Sequence, residues 1–164
     1  IKHYYIFKYE GIIRKLLLNY KFREKVYIYR GLIFFLEKYQ KEYIKFDFYD
    51  IILPVPISKK RLKTRGYNQS YLIARDLSNI LKTKIENNAI IKTTNNIPQS
   101  SLNKIDRIKN VQGVYKIKKL KKILNKKILL IDDIFTTGAT LNECSKILKQ
   151  AGAEKVDIFT IAKD

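Results

Sequence analysis

Two adjacent carboxylates at the end of an apolar run are the residues of this sequence best suited to chemistry. Residues 128–140 read ILLIDDIFTTGAT, so Asp132 and Asp133 directly follow four apolar side chains. An apolar run without alternation predicts a strand that is buried on both faces of a parallel sheet. Ligands of open α/β sheets bind outside the carboxyl ends of the strands, so we expect both acids to face a ligand.

The turn after the acids is predicted to bind a phosphate group. Its members are Thr136, Thr137, Gly138, Ala139 and Thr140. Apolar residues recur at helical spacing from Leu141 to Ala151, so a helix is predicted to begin at this turn. The free N–H groups and the positive dipole end of a helix start favour anions, hydroxyls add donors, and glycine lets the backbone approach closely. Acids and turn together predict a sugar-phosphate site.

A second, strongly basic segment follows another predicted strand. Residues 51–53 are apolar, and Pro54 and Pro56 are expected to end sheet pairing because proline has no N–H group. The predicted loop after them carries five cations, which are Lys59, Lys60, Arg61, Lys63 and Arg65. Bound pyrophosphate would relieve their mutual repulsion, and arginine matches phosphate oxygens with two N–H groups. A solvated surface turn is the alternative, since most charge runs are of that kind.

Two other kinds of site also place acids after an apolar strand. A Walker-type nucleotide site needs a G-x-x-x-x-G-K-S/T loop, and none of the six glycines is followed by Lys and a hydroxyl residue. A receiver-type phosphoacceptor pocket would carry its acid pair near the first strand, whereas this pair comes late and runs directly into the threonine turn. The order of the residues therefore disfavours both alternatives.

Residues 128–140 resemble the phosphoribosyl diphosphate (PRPP) signature of type I phosphoribosyltransferases. In that family the paired acids hold the ribose 2′ and 3′ hydroxyls, and the following loop surrounds the 5′-phosphate. The resemblance implies these roles for Asp132, Asp133 and residues 136–140. It also implies Mg²⁺ as a cofactor, held mostly by the pyrophosphate of the substrate and by water, with Asp132 and Asp133 as the candidate protein ligands.

The proline pair, the basic loop and the R-G-Y-N-Q run at residues 65–69 resemble the ComF family, which includes bacterial DNA-uptake competence proteins. Type I phosphoribosyltransferases bind pyrophosphate with the loop after the first core strand, which implies this role for Val55, Pro56, Lys60, Arg61 and Arg65. Candidates for the acceptor side of the site are Asn68, Gln69, Gln99, Arg107 and Asn110. For Gln99, Arg107 and Asn110, a helix surface or cap is an equally supported interpretation.

Strands that alternate with helices predict an α/β fold, specifically a type I phosphoribosyltransferase-like parallel sheet flanked by helices. Predicted strands cover residues 51–53, 89–92, 114–117, 128–131 and 156–161. Predicted helices cover residues 11–20, 24–40, 68–81 and 102–109 and the stretch that ends at Gly152. We expect residues 1–45 to form a small helical hood and residues 46–164 to form the core of one compact domain.

Composition bears on location and on metal content. A single cysteine, Cys144, and the lack of a long apolar run predict a cytoplasmic protein without membrane insertion. Cys144 is expected to be a packed core thiol. ComF proteins commonly begin with a zinc-binding module built from CxxC pairs. This sequence opens with Ile1 and contains no such pair, so no zinc site of that type is expected within these 164 residues.

The formal net charge of +19 supports a second hypothesis, because basic domains bind polyanions by counterion release. Tyrosines interleave with lysines near the start of the chain and are candidate stacking platforms for single-stranded bases; they are Tyr4, Tyr5, Tyr9, Tyr20, Tyr27 and Tyr29. An AT-rich genome, which enriches Ile, Lys, Asn and Tyr in any protein, is the competing explanation.

Two functional hypotheses therefore remain open. The first is a phosphoribosyltransferase that uses PRPP and Mg²⁺ and transfers the phosphoribosyl group to an unidentified nucleophilic acceptor. Asp132 and Asp133 would be its catalytic residues. The second is a non-catalytic accessory protein of DNA uptake, which binds single-stranded DNA or a competence helicase and retains the PRPP pocket as a scaffold or regulatory site.

Overall fold

A computed structural model describes residues 1–22, 31, 34–38, 46–94, 106 and 110–164 of the chain. Its strands are β1 (His3–Lys8), β2 (Ile51–Pro54), β3 (Lys84–Ile85), β4 (Ile90–Lys92), β5 (Tyr115–Ile117), β6 (Lys127–Phe135) and β7 (Lys155–Lys163). Five of them form a parallel sheet in the order β1-β7-β6-β2-β3. Strands β4 and β5 form a separate antiparallel pair.

The helices cover both faces of the parallel sheet. They are α1 (Gly11–Phe22), α2 (Lys59–Arg65), α3 (Gln69–Leu81) and α4 (Ala139–Gln150), with a 3₁₀ turn at Leu120–Lys122. Residues 31 and 34–38 are also helical, and they fall within the helix predicted for residues 24–40. The rest of that predicted helix, and most of the one predicted for residues 102–109, lies outside the described residues. The α/β fold predicted from the sequence is confirmed.

Strand β6 is buried on both faces, as its apolar run predicted. Ile128 and Leu130 pack into the layer that contains α4, whereas Leu129 and Ile131 pack into the layer that contains α3. All four side chains have 0% relative exposure. The lone thiol, Cys144, is also fully buried in the α4 layer, as expected. Two hydrophobic layers therefore hold the central strands, and burial of their apolar area stabilises the sheet.

Strand β1 was not predicted, and it lies within the range 1–45 that was assigned to the hood. It pairs in parallel with β7, with His3 opposite Ile158 and Phe7 opposite Ala162. Its sequence, HYYIFK, lacks the strict alternation of apolar and polar residues that identifies a strand from sequence. The strand is also only partly buried. The core sheet therefore begins at residue 3, and the division into hood and core stays a prediction.

Strand β2 ends at Pro54, as the proline pair predicted, and is one residue longer than the predicted strand 51–53. Pro54 lies within β2 opposite Ile131, and the N–H group of Val55 donates to the Ile131 carbonyl at 2.9 Å. The nitrogen of Pro54 faces the opposite neighbour, β3, because N–H groups alternate sides along a strand. Since β3 ends at Ile85, opposite Ile52, the missing N–H group has no partner to lose there.

A second correction concerns strands β4 and β5. Both were predicted near their observed positions, but as members of a parallel sheet. They pair in antiparallel fashion, with Ile90 opposite Ile117 and Lys92 opposite Tyr115. Short strands of three residues carry no signal for their direction, because direction depends on the path of the chain between them. This pair therefore lies outside the main sheet and packs against α4.

A buried carboxylate, Asp157, fastens the start of the chain to β7. Its oxygens accept hydrogen bonds from the backbone N–H of Lys2 at 2.7 Å and from the Tyr49 hydroxyl at 2.7 Å. The ammonium of Lys155 lies 3.0 Å away. Burial alone would raise the pKa of Asp157, but these donors outweigh it and the pKa is lowered. The side chain is therefore ionised and fully partnered at neutral pH.

Replacing Asp157 with Asn is expected to destabilise the fold by about 1–3 kcal/mol, because the amide leaves buried donors unsatisfied. The folded-state pKa lies below the unfolded value, so the stabilisation is present above the unfolded pKa and is lost as pH falls through the folded pKa. Urea unfolding at neutral and acidic pH measures both effects. The control is Glu154→Gln, whose ion pair with Lys127 is exposed and should contribute less than about 1 kcal/mol. Equal stability of the two variants would contradict the assignment.

Candidate functional site

A cleft of about 620 Å³ opens at the carboxyl ends of β2 and β6. The two strands are neighbours, so Val55 and Pro56 after β2 meet the acids at the end of β6. Nine of the residues predicted from the sequence line this cleft: Val55, Pro56, Arg61, Arg65, Gln69, Asp132, Asp133, Thr136 and Thr140. Both predicted anion-binding segments therefore face one common space.

Asp132 and Asp133 lie within β6, near its carboxyl end, and not after it, since the strand continues to Phe135. The Ser70 hydroxyl and the Asp133 N–H donate to Asp132 Oδ1, at 2.8 and 2.9 Å. The Ile134 N–H donates to Asp133 Oδ1 at 2.9 Å. These bonds fix the orientation of both carboxylates at the cleft wall, where Asp132 is half-buried and Asp133 is 5% exposed.

The predicted phosphate turn connects β6 to α4. Thr136 and Thr140 line the main cleft, whereas Thr137, Gly138 and Ala139 line a small adjoining pocket that also contains Asp132 and Thr140. The N–H of Ala139 donates a hydrogen bond to the Thr137 hydroxyl at 3.4 Å, within the turn itself. A helix start with this curvature presents amide donors and hydroxyls toward a bound anion.

The ring of Phe135 supports the turn from one side. Gly138 has φ 71°, in the left-handed region, and a Cβ built on it would lie 2.5 Å from Phe135 Cζ. The same ring also packs near His3, with the ring centroids 4.6 Å apart. Burial, together with the charge of Lys163, lowers the pKa of His3 to about 4, so the imidazole is neutral at neutral pH. The close fit of ring and turn therefore requires glycine at position 138.

The basic segment predicted as a loop is the helix α2. The Ser58 hydroxyl caps its start by accepting from the Arg61 N–H at 3.3 Å, and Gly66 ends it at φ 80°. Arg61 and Arg65 are four residues apart, so they share one helix face and both line the cleft. Lys59, Lys60 and Lys63 point away and are exposed. The helix thus separates two cleft arginines from three surface lysines, and the predicted Lys60 does not line the cleft.

The predicted acceptor-side residues have diverse positions. Asn68 caps α3, since its side chain accepts from the Ser70 N–H at 3.1 Å and donates to the Val55 carbonyl at 3.0 Å. Gln69 lines the cleft and accepts from Arg65 at 2.7 Å. Asn110 is half-buried and is not part of the cleft wall, whereas Gln99 and Arg107 lie outside the described residues. The role of these residues at the acceptor side stays a prediction.

Several cleft residues were not identified from the sequence. The lining also includes Tyr9, Glu10, Arg14, Ser70, Lys92 and Tyr115. They come from the connection between β1 and α1, from α1, from α3 and from the β4–β5 pair, which are far apart along the chain. Lys92 and Tyr115 lie opposite each other across that pair, which links them only once the strand direction is known. No local pattern distinguishes these residues from ordinary surface or core positions.

Lys92 is a partly buried cation in the cleft wall. Burial, followed by the charge of Arg61, lowers the pKa of Lys92 to about 8, against an opposing effect of Asp132. Its ammonium lies 5.5 Å from the centroid of the Tyr115 ring, a distance at which a cation and an aromatic face attract each other. Lys92 is therefore charged at neutral pH, at a cost that a bound anion would offset.

Pyrophosphate affinity is expected to fall as pH rises through about 8, because Lys92 then loses the charge that attracts the anion. One pH unit above this pKa about one tenth of the Lys92 side chains are charged. Pyrophosphate affinity is therefore expected to fall by up to about tenfold. Calorimetric titrations from pH 7 to 9.5 compare the wild type with Lys92→Met and with the exposed control Lys116→Met. Ionisation of pyrophosphate is common to all three. Parallel pH profiles for the wild type and Lys92→Met would refute this role.

Other predicted features are settled only in part by the described residues. Among them, no three His, Cys, Asp or Glu side chains lie close enough to hold a metal ion. None of the helices in the described part of the chain is long and apolar enough to cross a membrane. Of the tyrosines considered for base stacking, Tyr4 packs into the core, Tyr9 lines the cleft and Tyr5 is 43% exposed. The side chains of Tyr20, Tyr27 and Tyr29 lie outside the described residues.

Comparison with known proteins gives consistent sequence matches. Residues 68–164 match the family described as Phosphoribosyl transferase domain. Competence protein F of Haemophilus influenzae is 30% identical over 152 residues, which are 90% of this chain and 66% of that protein. Competence protein ComFC of Streptococcus pneumoniae is 30% identical over 163 residues, which are 99% of this chain and 69% of that protein. The chain thus spans about two thirds of the length of these relatives.

Solved structures with lower sequence identity share the α/β arrangement of this chain. Adenine phosphoribosyltransferase from Thermoanaerobacter pseudethanolicus is 15% identical, with a TM-score of 0.50 and coverage of 86% of this chain and 83% of that chain. The glutamine PRPP amidotransferase from Bacillus subtilis is 16% identical, with a TM-score of 0.52 and coverage of 81% of this chain and 26% of that chain. At these identities the likeness concerns the arrangement of strands and helices alone.

Proposed function

Because the chain belongs to the phosphoribosyl transferase domain family and to the ComF family of competence proteins, we propose that it binds PRPP with Mg²⁺ and transfers the phosphoribosyl group to a nucleophilic acceptor. One observation carries the proposal. The acid pair with its threonine turn and the arginines of α2 come from two segments that are far apart along the chain, and they line a single cleft. Each of these groups matches one part of PRPP.

The proposed binding mode follows from the chemistry of each wall. The fixed carboxylates of Asp132 and Asp133 accept hydrogen bonds from the ribose hydroxyls. The amides and hydroxyls of residues 136–140 hold the 5′-phosphate at the start of α4. Arg61, Arg65 and Lys92 lie along the wall nearest to the pyrophosphate and offset its charge. The ligand is thereby oriented with C1 of the ribose toward the open cleft.

The residues of the cleft fit Mg²⁺ as part of the substrate complex. Mg²⁺ prefers oxygen ligands and is usually held by one or two carboxylates together with substrate phosphates and water. Asp132 and Asp133 supply such oxygens, and the described residues contain no larger ligand cluster that would hold an ion by itself. When bound, the ion would neutralise charge on the departing pyrophosphate.

In the proposed reaction a nucleophile of the acceptor attacks C1 of the ribose as the bond from C1 to the pyrophosphate oxygen breaks. The bonding electrons leave with pyrophosphate, and positive charge develops on the ribose ring. Asp132 and Asp133 lie where their negative charge stabilises that ring, and Arg61 and Arg65 stabilise the leaving group. Because the side chains are held in place before reaction, no large rearrangement is required of them.

The decisive experiment has two steps. Calorimetry with PRPP, with and without Mg²⁺, tests binding, and we expect Mg²⁺ to increase the affinity. Release of pyrophosphate is then measured over purine, pyrimidine and small amine acceptors. Binding followed by release supports the enzyme. Binding without release for any acceptor would favour a pocket retained for regulation, and absence of PRPP binding would refute the proposal.

A second candidate function, binding of single-stranded DNA, is favoured by an exposed basic surface whose residues do not line the cleft. It comprises Lys116, Lys118, Lys121 and Lys122, around the exposed Leu120. Lys121 and Lys122 precede β6 and its amino end, whereas Lys116 lies on β5 next to the cleft residue Tyr115. Relatives that include a DNA utilization protein of Escherichia coli agree with this candidate.

Fluorescence anisotropy with single-stranded DNA at two salt concentrations tests the second candidate. Replacing both Lys121 and Lys122 with Gln should weaken binding and reduce its salt dependence, because fewer counterions are released. Unchanged affinity, or affinity no higher than that of an unrelated protein of equal charge, would remove DNA from consideration. A helicase partner, which the family resemblance also implies, stays a separate prediction.

A further inference from the structure

Three consecutive residues at the start of α3 each hold a different part of the cleft; they are Asn68, Gln69 and Ser70. Asn68 fixes the helix start itself. Its side chain accepts from the Ser70 N–H at 3.1 Å and donates to the Val55 carbonyl, just after β2, at 3.0 Å. The first turn of α3 is therefore anchored to the strand end at which the cleft opens.

Ser70 connects this turn to the acid wall of the cleft. It is buried and lines the cleft. Its hydroxyl donates to Asp132 Oδ1 at 2.8 Å, the same oxygen that accepts from the Asp133 N–H. A carboxylate can accept about four hydrogen bonds, so Ser70 can orient Asp132 without competing with a ribose hydroxyl. Ser70 thereby restrains the carboxylate that is proposed to bind the ribose.

Gln69 connects the same turn to the basic wall of the cleft. It is buried, and its Oε1 accepts from Arg65 Nη1 at 2.7 Å, across the left-handed Gly66 that ends α2. A guanidinium carries several N–H groups in one fixed plane, so a bond from one of them constrains the direction of the others. Ordering a long side chain costs free energy on binding, so an arginine that is already held binds pyrophosphate more tightly.

We propose that Gln69 and Ser70 are positioning residues, which orient the two walls of the cleft from one helical turn. Ser70 orients Asp132 for the ribose hydroxyls. Gln69 orients Arg65 for the pyrophosphate. This inference rests on the proposed function, because it concerns the same cleft, and it differs from the acceptor-side role predicted for Gln69 from the sequence. It implies that two neighbouring residues affect opposite ends of PRPP.

The test uses Ser70→Ala and Gln69→Met, which remove the hydrogen-bonding oxygens; Met keeps the length of the Gln side chain. Calorimetry with ribose 5-phosphate and with inorganic pyrophosphate as separate probes resolves the two ends of the site. We expect Ser70→Ala to bind ribose 5-phosphate about fivefold to tenfold more weakly, the usual effect of one hydrogen bond, with less than about a twofold change for pyrophosphate. Gln69→Met should show the reverse pattern.

Two matched controls lie outside the cleft wall. Ser78→Ala removes a hydroxyl of the same helix that donates to the Thr83 carbonyl at 2.6 Å, and Gln150→Met changes an exposed residue at the end of α4. Neither control should change the affinity for either probe. An acceptor-side role for Gln69 would leave pyrophosphate binding unchanged in Gln69→Met, because these titrations contain no acceptor, and that result would overturn the inference.

Direct contact with the ligand is the alternative to positioning, because both side chains line the cleft. Double-mutant cycles with Asp132→Ala and with Arg65→Ala separate the two roles. If Ser70 acts through Asp132, the double variant binds ribose 5-phosphate no more weakly than Asp132→Ala alone. The same relation should hold for Gln69 with Arg65 and pyrophosphate. Additive losses in these cycles contradict positioning.

The pattern across the two probes separates this inference from the proposed function. If the wild type binds PRPP but either variant loses affinity for both probes equally, or for neither, the inference alone is wrong. If the wild type binds neither PRPP nor ribose 5-phosphate, the proposed function itself fails, and this inference fails with it.

Discussion

Asp132→Asn is expected to bind PRPP about 10-fold to 150-fold more weakly than the wild type, and Asp133→Asn should behave similarly. Each carboxylate is proposed to accept a hydrogen bond from a ribose hydroxyl, and a hydrogen bond to a charged group contributes about 1.5–3 kcal/mol. Asn keeps the size of Asp and one carbonyl oxygen, so the change isolates the charge and the second acceptor. The bond from Ser70 to position 132 can persist, and the fold should be retained.

The effect on transfer should exceed the effect on binding. Negative charge close to the ribose stabilises the positive charge that develops in the transition state, so its loss lowers kcat as well as affinity. Calorimetry gives the affinity and pyrophosphate release gives the rate. Asp76→Asn is the matched control, because Asp76 lies on α3 outside the cleft wall and pairs with Arg75 at 3.0 Å. If both acid variants bind PRPP as well as this control, the ribose does not lie between the acids.

Gly138→Ala is expected to give the second large effect, with loss of phosphate binding and a stability loss of about 1–3 kcal/mol. Two causes add at this position. The backbone of Gly138 is left-handed, a conformation that is costly for alanine, and the new methyl group would lie 2.5 Å from Phe135 Cζ. Relief of the clash must move the ring or the turn, and displacement of the turn disturbs the amides that hold the phosphate.

Two comparisons separate these causes. Gly113 has φ 66° and open space around its Cβ position, so Gly113→Ala introduces backbone strain without a clash. The double variant Phe135→Leu/Gly138→Ala removes the ring and should recover part of the lost binding of ribose 5-phosphate. Thermal unfolding and calorimetry measure stability and affinity. Equal losses in Gly113→Ala and Gly138→Ala would show that the contact between ring and turn has no special role.

The phosphate side of the site could be predicted because its information is contiguous. Acids, turn and helix start follow one another within residues 128–140, and local sequence determines each of them. The cap at Asn68 was predictable for the same reason, since capping depends on a few neighbouring backbone groups. By contrast, Tyr9, Lys92 and Tyr115 reach the cleft only through tertiary packing, which no local pattern specifies.

The errors of prediction have similarly specific causes. The helix α2 was predicted as a loop because five cations in seven residues indicate repulsion, yet three of them face solvent and the Ser58 cap stabilises the helix start. The strand before the prolines was predicted one residue too short, because proline has no N–H group to donate in a ladder. Pro54 still pairs with Ile131 of β6, whereas pairing with β3 stops at Ile85, opposite Ile52.

The strand order of the main sheet has a consequence for biosynthesis. Strand β7 lies between β1 and β6, so β1 pairs with a strand that is synthesised much later, with His3 opposite Ile158. Until residues 155–163 emerge, β1 lacks the strand with which it pairs in the folded sheet. Pairing across so much of the polypeptide gives a high contact order, which slows folding and prolongs exposure of an aromatic strand to chaperones and to other chains.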